Sequence, residues 1–261
     1  MPALPRLTSR QDAVVRRFRQ AAARRADDDT VLLDGEHLVD EAIDAGVPVE
    51  MVLVDEARAR LVTRALASGA AVYRATRSVL DAVSPVKTPS GVVALARWRP
   101  VSLEHALAGA LAIGVVDVQD PGNLGGVVRA AAALGGTGML ALDRSADPGG
   151  WRALRGAMGS TFRLPVARGS SHAAITAARK KGLRIAAASA TAGTPIGQAD
   201  LREPLLLLLG NEGSGLTPAL EAEADVRLTV PMDRGVESLN VAVTAGIILF
   251  EARRQRAGAA R

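Results

Sequence analysis

The sequence predicts an α/β protein in two parts, a small mixed domain followed by a parallel sheet covered with helices on both faces. Three observations predict it. Through residues 1–100, short apolar segments alternate with helical stretches, a β-α-β-α-β order. From Leu111 onward the apolar segments become continuous runs, as parallel strands buried on both faces require. Of the 261 residues, 48% are hydrophobic but only 2% aromatic, so the core must be built from Leu, Val, Ile and Ala.

In order along the chain, residues 11–25 read as a basic helix with Val14, Val15 and Phe18 on one face and arginines elsewhere. Val31-Leu32-Leu33 reads as a strand, Gly35 to Ala45 as a helix ending at Gly46, and Val49–Val54 as a second strand. Arg58 to Ser68 is a helix stopped by Gly69, Ala71–Tyr73 a third strand, Ser78 to Val83 a short helix and Gly91–Ala96 a further strand. This is the pattern of a small three-layer domain. Trp98-Arg99-Pro100 marks its exit, with residues 101–110 as a linker holding a helix from Ser102 to Ala110.

Leu111–Val116, Gly138–Leu142, Arg184–Ala188 and Leu205–Leu209 are the continuous apolar strands. Leu124–Leu134, Trp151–Met158 and His172–Lys181 are the helices between them. A strand from Arg227 to Val230 and a long helix from Asn240 to about Arg256 close the chain. The expected division is therefore 1–100, 101–110 and 111–261. No repeat or low-complexity tract interrupts it.

Composition excludes several classes. With no cysteine there are no disulfides, thiolate metal sites or cysteine nucleophiles, and a reducing compartment is expected. His37, His105 and His172 are too scattered to form a close ligand pair, so no metal is expected. No apolar run approaches the roughly 20 residues that span a bilayer, so no membrane partner is expected. The net charge is +5, and only Lys87, Lys180 and Lys181 of the 32 basic residues are lysine. Arginine's planar fork suits phosphate, although a GC-rich genome also favours arginine over lysine. The densest cluster is Arg6, Arg10, Arg16, Arg17, Arg19, Arg24 and Arg25 against a single acid, Asp12. It reads either as a solvated face or as a polyanion-contacting one.

Three segments carry the chemistry. Val118-Gln119-Asp120-Pro121-Gly122-Asn123 follows a strand and opens a helix, with Asn123 a good candidate N-cap. Arg129 lies six residues further, on a helix otherwise small and apolar; by itself it reads as a surface residue unless it meets an anion. Leu209-Gly210-Asn211-Glu212-Gly213-Ser214-Gly215 follows five consecutive leucines, at the carboxyl end of a buried strand where open α/β sheets bind nucleotides. An ordinary tight turn is the plainer reading. A nicotinamide-binding loop is the rival, but Pro218 replaces the third glycine and instead begins the next helix. Val230-Pro231-Met232 ends a strand, and Ser238-Leu239-Asn240 opens the last helix, with Ser238 or Asn240 as its cap.

In this order and spacing, these segments resemble the SpoU (TrmH-type) branch of the SPOUT RNA methyltransferases. Arg155–Phe162, with its Gly-Ser run, is a further matching segment, and Lys87-Thr88-Pro89-Ser90-Gly91 with the first hundred residues resembles the L30e-like substrate-binding domain of many SpoU enzymes. The resemblance implies a C-terminal trefoil-knotted SPOUT domain, a homodimer and a cytoplasmic enzyme that moves a methyl group from S-adenosyl-L-methionine to a ribose 2′-hydroxyl. Ribosomal RNA is the expected substrate. A tRNA enzyme of the same family and a non-catalytic RNA-binding assembly factor are the alternatives. The implied catalytic residues are Arg129, gripping phosphate or helping to abstract the proton, with Asn123 and Glu212 shaping the site and Ser238 and Asn240 orienting the hydroxyl and supporting the cofactor loop. The implied cofactor residues are Leu209, Gly210, Asn211, Gly213, Val230, Met232, Ser238 and Leu239.

Overall fold

The computed structural model describes residues 4–24, 28–55, 58–190 and 192–259. Arg25, the expected end of the basic helix, lies outside them. The chain divides into two compact units, one of residues 1–99 and 149–162 and the other of residues 100–148 and 163–261.

The first unit runs β1 (Arg6–Leu7), α1 (Ala13–Ala22), β2 (Thr30–Asp34), α2 (Glu36–Asp44), β3 (Val49–Val54), α3 (Ala59–Ala67), β4 (Ala71–Ala75), α4 (Arg77–Val83) and β5 (Val92–Arg97). Its sheet has the order β1-β4-β3-β5-β2, with β5 antiparallel to both neighbours. Period-two burial divides the strands between two cores. Leu32, Leu53, Val93 and Leu95 face α1 and α4, packing with Val15, Phe18 and Leu80. Val31, Leu33, Val52 and Ala94 face α2 and α3. The three-layer expectation holds.

In the second unit, α5 (Leu103–Ala106) is shorter than the linker helix expected and packs on this unit's own elements. Then come β6 (Leu111–Val116), α6 (Pro121–Ala133) and β7 (Gly138–Leu142). The next helix, α7 (Trp151–Ala157), and the 3₁₀ turn Ser160–Phe162 belong to the first unit, with Leu154 buried in the α2/α3-side core. The chain resumes with β8 (Val166–Gly169), α8 (Ser171–Lys180), β9 (Arg184–Ala188), β10 (Thr194–Pro195), β11 (Leu205–Leu209), α9 (Pro218–Ala222), β12 (Val226–Thr229) and α10 (Val241–Ala259).

Seven strands form one sheet, β10-β12-β9-β11-β6-β7-β8, and every pairing is parallel. All five residues of β11 and all six of β6 are buried, which explains their unbroken apolar sequence. Leu206 and Leu208 pack with Ala174, Ile175 and Ala178 of α8 on one face. The other face carries α6 and α10, which pack along each other. Small residues permit that approach: a Cβ on Gly126 would lie 2.9 Å from the Ala242 Cβ.

Candidate active site

The carboxyl ends of β9, β11 and β12 open into a cavity of about 680 Å³, within the range of small-molecule sites. The segments after β9 and β11 are rich in small residues, which bring main chain to the wall, whereas the one after β12 adds Val230 and Met232. The turn after β11 is the tightest. Gly215 has φ +66°, and a Cβ on Gly210 would lie 2.1 Å from the carbonyl carbon of Gly215. No other residue fits at position 210 without moving backbone. The turn is held from inside, because Asn211 Oδ1 accepts from the main-chain N–H groups of Gly213 (2.9 Å) and Ser214 (3.4 Å).

Leu209, Gly210, Asn211, Glu212, Gly213, Val230, Met232, Ser238 and Leu239 all line this cavity. Ala188 at the end of β9, Ser189 and Ala190 after it, and Thr244 and Ile248 on α10, line it too and were not expected. The run of small residues after the apolar β9 was an available signal. Thr244 and Ile248 carried none, since on a long helix they read as ordinary core positions.

A line of hydrogen bonds runs from the cavity to the two facing helices. Asn123 Nδ2 donates to Glu212 Oε1 at 2.5 Å, and Asn240 Nδ2 donates to Asn123 Oδ1 at 2.8 Å. Residues 123, 212 and 240, far apart in sequence, are thereby joined. Asn240 also caps α10, its Oδ1 accepting from Ala242 N (2.9 Å) and Val243 N (3.3 Å). Ser238 is exposed and makes no hydrogen bond among the described residues.

Asn123 is not the cap expected of it. The helix begins at Pro121, and Asp120 caps it through Oδ1, which accepts from Asn123 N at 2.8 Å. Proline at the first helical position moves the start three residues earlier, from Leu124 to Pro121. The Asn123 side chain is thereby free for the cross-segment bonds. Arg129 emerges from α6 exposed and has no hydrogen-bond or ion-pair partner among the described residues. It is not bonded to the Asn123–Glu212–Asn240 line. Pro218 begins α9, with Thr217 as its cap, which removes the nicotinamide-loop reading.

Beside this network, Asp117 has φ 56°. Its carboxylate accepts from both the side chain and the backbone of Arg144, which holds its pKa below the usual carboxylate value.

The cavity fits a nucleoside-sized ligand with an apolar body. Met232, Leu239 and Ile248 supply apolar wall, and the Gly210 turn supplies main chain at close approach. Among the described residues no group of three or more His, Asp or Glu side chains gathers as for a metal ion. No helix among them is long and apolar enough to cross a membrane.

A parallel α/β sheet with a glycine-walled cavity at its carboxyl edge defines a nucleoside-cofactor enzyme. Residues 110–250 match the SpoU rRNA Methylase family, and residues 14–94 match the MRM3-like substrate binding domain. The chain belongs to the SpoU family, and it is an S-adenosylmethionine-dependent RNA 2′-O-methyltransferase.

It is 34% identical to the 23S rRNA (guanosine(2553)-2′-O)-methyltransferase RlmP of Bacillus subtilis, over 86% of this chain and 88% of that one. The crystal structure of an AdoMet-bound rRNA methyltransferase from Sinorhizobium meliloti superposes with a TM-score of 0.86 at 29% identity, covering 96% of this chain and 98% of that one. A structure concerned with 2-OH methylation of C/U34 on tRNA reaches a TM-score of 0.51 at 31% identity, covering 57% of this chain and 97% of that one.

Proposed function

We propose that this enzyme methylates a ribose 2′-hydroxyl of ribosomal RNA, with the cavity at residues 209–241 as the cofactor site. The observation that carries the RNA class is coverage. The rRNA relatives align over 86% and 96% of the chain, so over both units, whereas the tRNA-directed structure aligns over 57%. A ribosomal substrate supports a cytoplasmic location.

The cofactor, when bound, supplies a methyl group on a sulfonium, an electrophile that leaves behind a neutral thioether. The protein must then align the ribose oxygen and stabilise the charge that develops on it as its proton is released to solvent. Arg129 suits the second task. It is exposed, without a partner among the described residues, and carried on a helix whose first turn reaches the cavity rim through Asn123 and Glu212. A guanidinium offers several donors in a fixed fork, so the role assigned to Arg129 is to hold the phosphate and the developing oxyanion. Asn123, Glu212 and Asn240 hold the rim. Ser238, without a hydrogen bond among the described residues, is available to the hydroxyl. The trefoil crossing would bring the 210–217 turn, the 230–240 segment and α10 together, the three that line the cavity.

The exposed face of α10 supports a homodimer. Val243, Gly246, Ile247 and Phe250 recur at helical spacing, with Val243 50% and Phe250 61% exposed. Phe250→Glu should yield a monomer by sedimentation velocity.

The reading is tested by incubating the enzyme with methyl-labelled S-adenosylmethionine and total RNA, then mapping 2′-O-methylation at nucleotide resolution. Label at one site in ribosomal RNA is expected. Label confined to tRNA would overturn the substrate, and no label in any RNA would leave an assembly factor.

A further inference from the structure

Asp117 directly follows β6 in the left-handed conformation, φ 56°. Most side chains resist this region, and Asp and Asn are the non-glycine residues that tolerate it best. The conformation aims the Asp117 carbonyl at Asn211, whose Nδ2 donates to it at 2.9 Å. Asn211 uses its other side-chain atom, Oδ1, to close the turn through Gly213 and Ser214. All three of those residues line the cavity; Asp117 does not.

Two neighbours brace Asp117. Its Oδ1 accepts from the Arg144 main-chain N at 3.0 Å and from Arg144 Nε at 3.3 Å. Ser145 Oγ donates to Val115 O and receives Val118 N, both at 3.1 Å, pinning the chain on either side of position 117. A strained backbone that the surroundings hold in place points to function more often than to chance.

We propose that Asp117 is a positioning residue for the cofactor: its left-handed main chain, held by Arg144, aims the carbonyl that fixes the Asn211 turn. The inference rests on the cavity being the cofactor site. It adds a determinant outside the cavity wall, at a position whose side chain points to an exposed arginine.

The test is calorimetric S-adenosylmethionine binding to full-length variants, with steady-state methylation alongside. Asp117→Asn keeps both the conformation and an acceptor for Arg144, so its affinity should stay within about threefold of wild type. Asp117→Val cannot hold the left-handed region and should weaken binding by about tenfold or more. Its kcat at saturating cofactor should be retained, a split that general unfolding would not give. Asn211→Asp keeps the acceptor for Gly213 and Ser214 but loses the donor to Asp117, and should weaken binding similarly. The double variant should be no weaker than the worse single, since both break one contact.

Equal affinities for Asp117→Val and Asp117→Asn, or additive losses in the double variant, overturn the proposal. If Asp117→Val does not fold, Asp117→Ala takes its place in the same cycle with the same criteria. Gly210→Ala separates this inference from the reading beneath it. If that substitution leaves cofactor binding intact, the cavity assignment fails. If it abolishes binding while the Asp117 series is flat, only the positioning role fails.

Discussion

Asn123 sits between two partners of opposite character, donating from Nδ2 to the Glu212 carboxylate at 2.5 Å and accepting at Oδ1 from Asn240 at 2.8 Å. An amide is the side chain that satisfies both at once. Asn123→Asp sets two carboxylates against each other. Leaving such a group unsatisfied costs about 1–3 kcal/mol, so methylation should fall by roughly 10–100-fold. Adding Glu212→Gln restores a donor, reversed in direction, and should recover part of the loss in initial-rate assays. No recovery would mean that this bond is not what the site needs.

Asn240 has two separable jobs. Asn240→Asp keeps the oxygen that caps α10 but removes the Nδ2 donor to Asn123. Stability should hold while methylation drops. Asn240→Ala loses the cap as well, worth about 1 kcal/mol, and its melting temperature should fall by about 2–4 °C. Identical melting curves for the two variants would refute the division.

Arg129→Ala should cut single-turnover methylation by about 10²–10³, the usual effect of removing one electrostatic donor. Cofactor affinity should be unchanged, because Arg129 touches neither the cavity nor the Asn123 line. The residue is exposed, so the fold loses little. Wild-type methylation by this variant would end the role assigned to it.

The first unit carries two kinds of arginine. On α3 and just before it, Arg58, Arg60 and Arg64 are ion-paired with Glu36, Asp40 and Asp44 of α2. Near and on α1, Arg10 and Arg19 bond only to Ser78 and to the Ala82 carbonyl, and Arg16 is unpartnered among the described residues. Arg16→Ala and Arg19→Ala should each weaken RNA binding and lower the slope of log K against log salt by about 1. Arg60→Ala should do neither. Filter binding across a salt series decides it.

Asp34 is buried with Oδ1 unpartnered, and burial raises its pKa above 3.8 despite Ser84 and Arg155. A carboxyl that binds its proton more tightly when folded stabilises the fold below the unfolded value. That contribution is lost as pH climbs through the raised one. Asp34→Asn should therefore melt higher than wild type at pH 7, by about 2–4 °C for each kcal/mol relieved. The advantage should shrink as pH approaches 3.8. A difference independent of pH would exclude ionisation as its source.

Strand identity was legible wherever burial on both faces left an uninterrupted apolar run, and β6, β7, β9 and β11 carry the bounds read from sequence. Where structure depends on distant partners, sequence was silent. Nothing local places β5 antiparallel between β2 and β3, since pairing direction leaves burial unchanged. The same is true of α7: Leu154 is apolar whichever core receives it, and it joins the first unit's. At the site, a turn residue such as Gly210 announces itself because backbone geometry demands it. The bonds of Asn123 do not, because an asparagine near a helix start looks like a cap.

The last helix is anchored at opposite ends by different chemistry. Asn240 fastens its start beside the cavity. Its far end is held by Arg256, whose guanidinium donates to the carbonyls of Ala110, Leu201 and Glu203, just ahead of β6 and β11. Over 19 residues, or roughly 28 Å, α10 behaves as a beam pinned at both extremities. Between the pins it is seated along its length, by the close approach of Gly126 to Ala242 and by the buried Ala245, Ile248, Leu249 and Ala252. One stiff helix thus ties the chain just ahead of β6 and β11, through Arg256, to the cavity rim at Asn240.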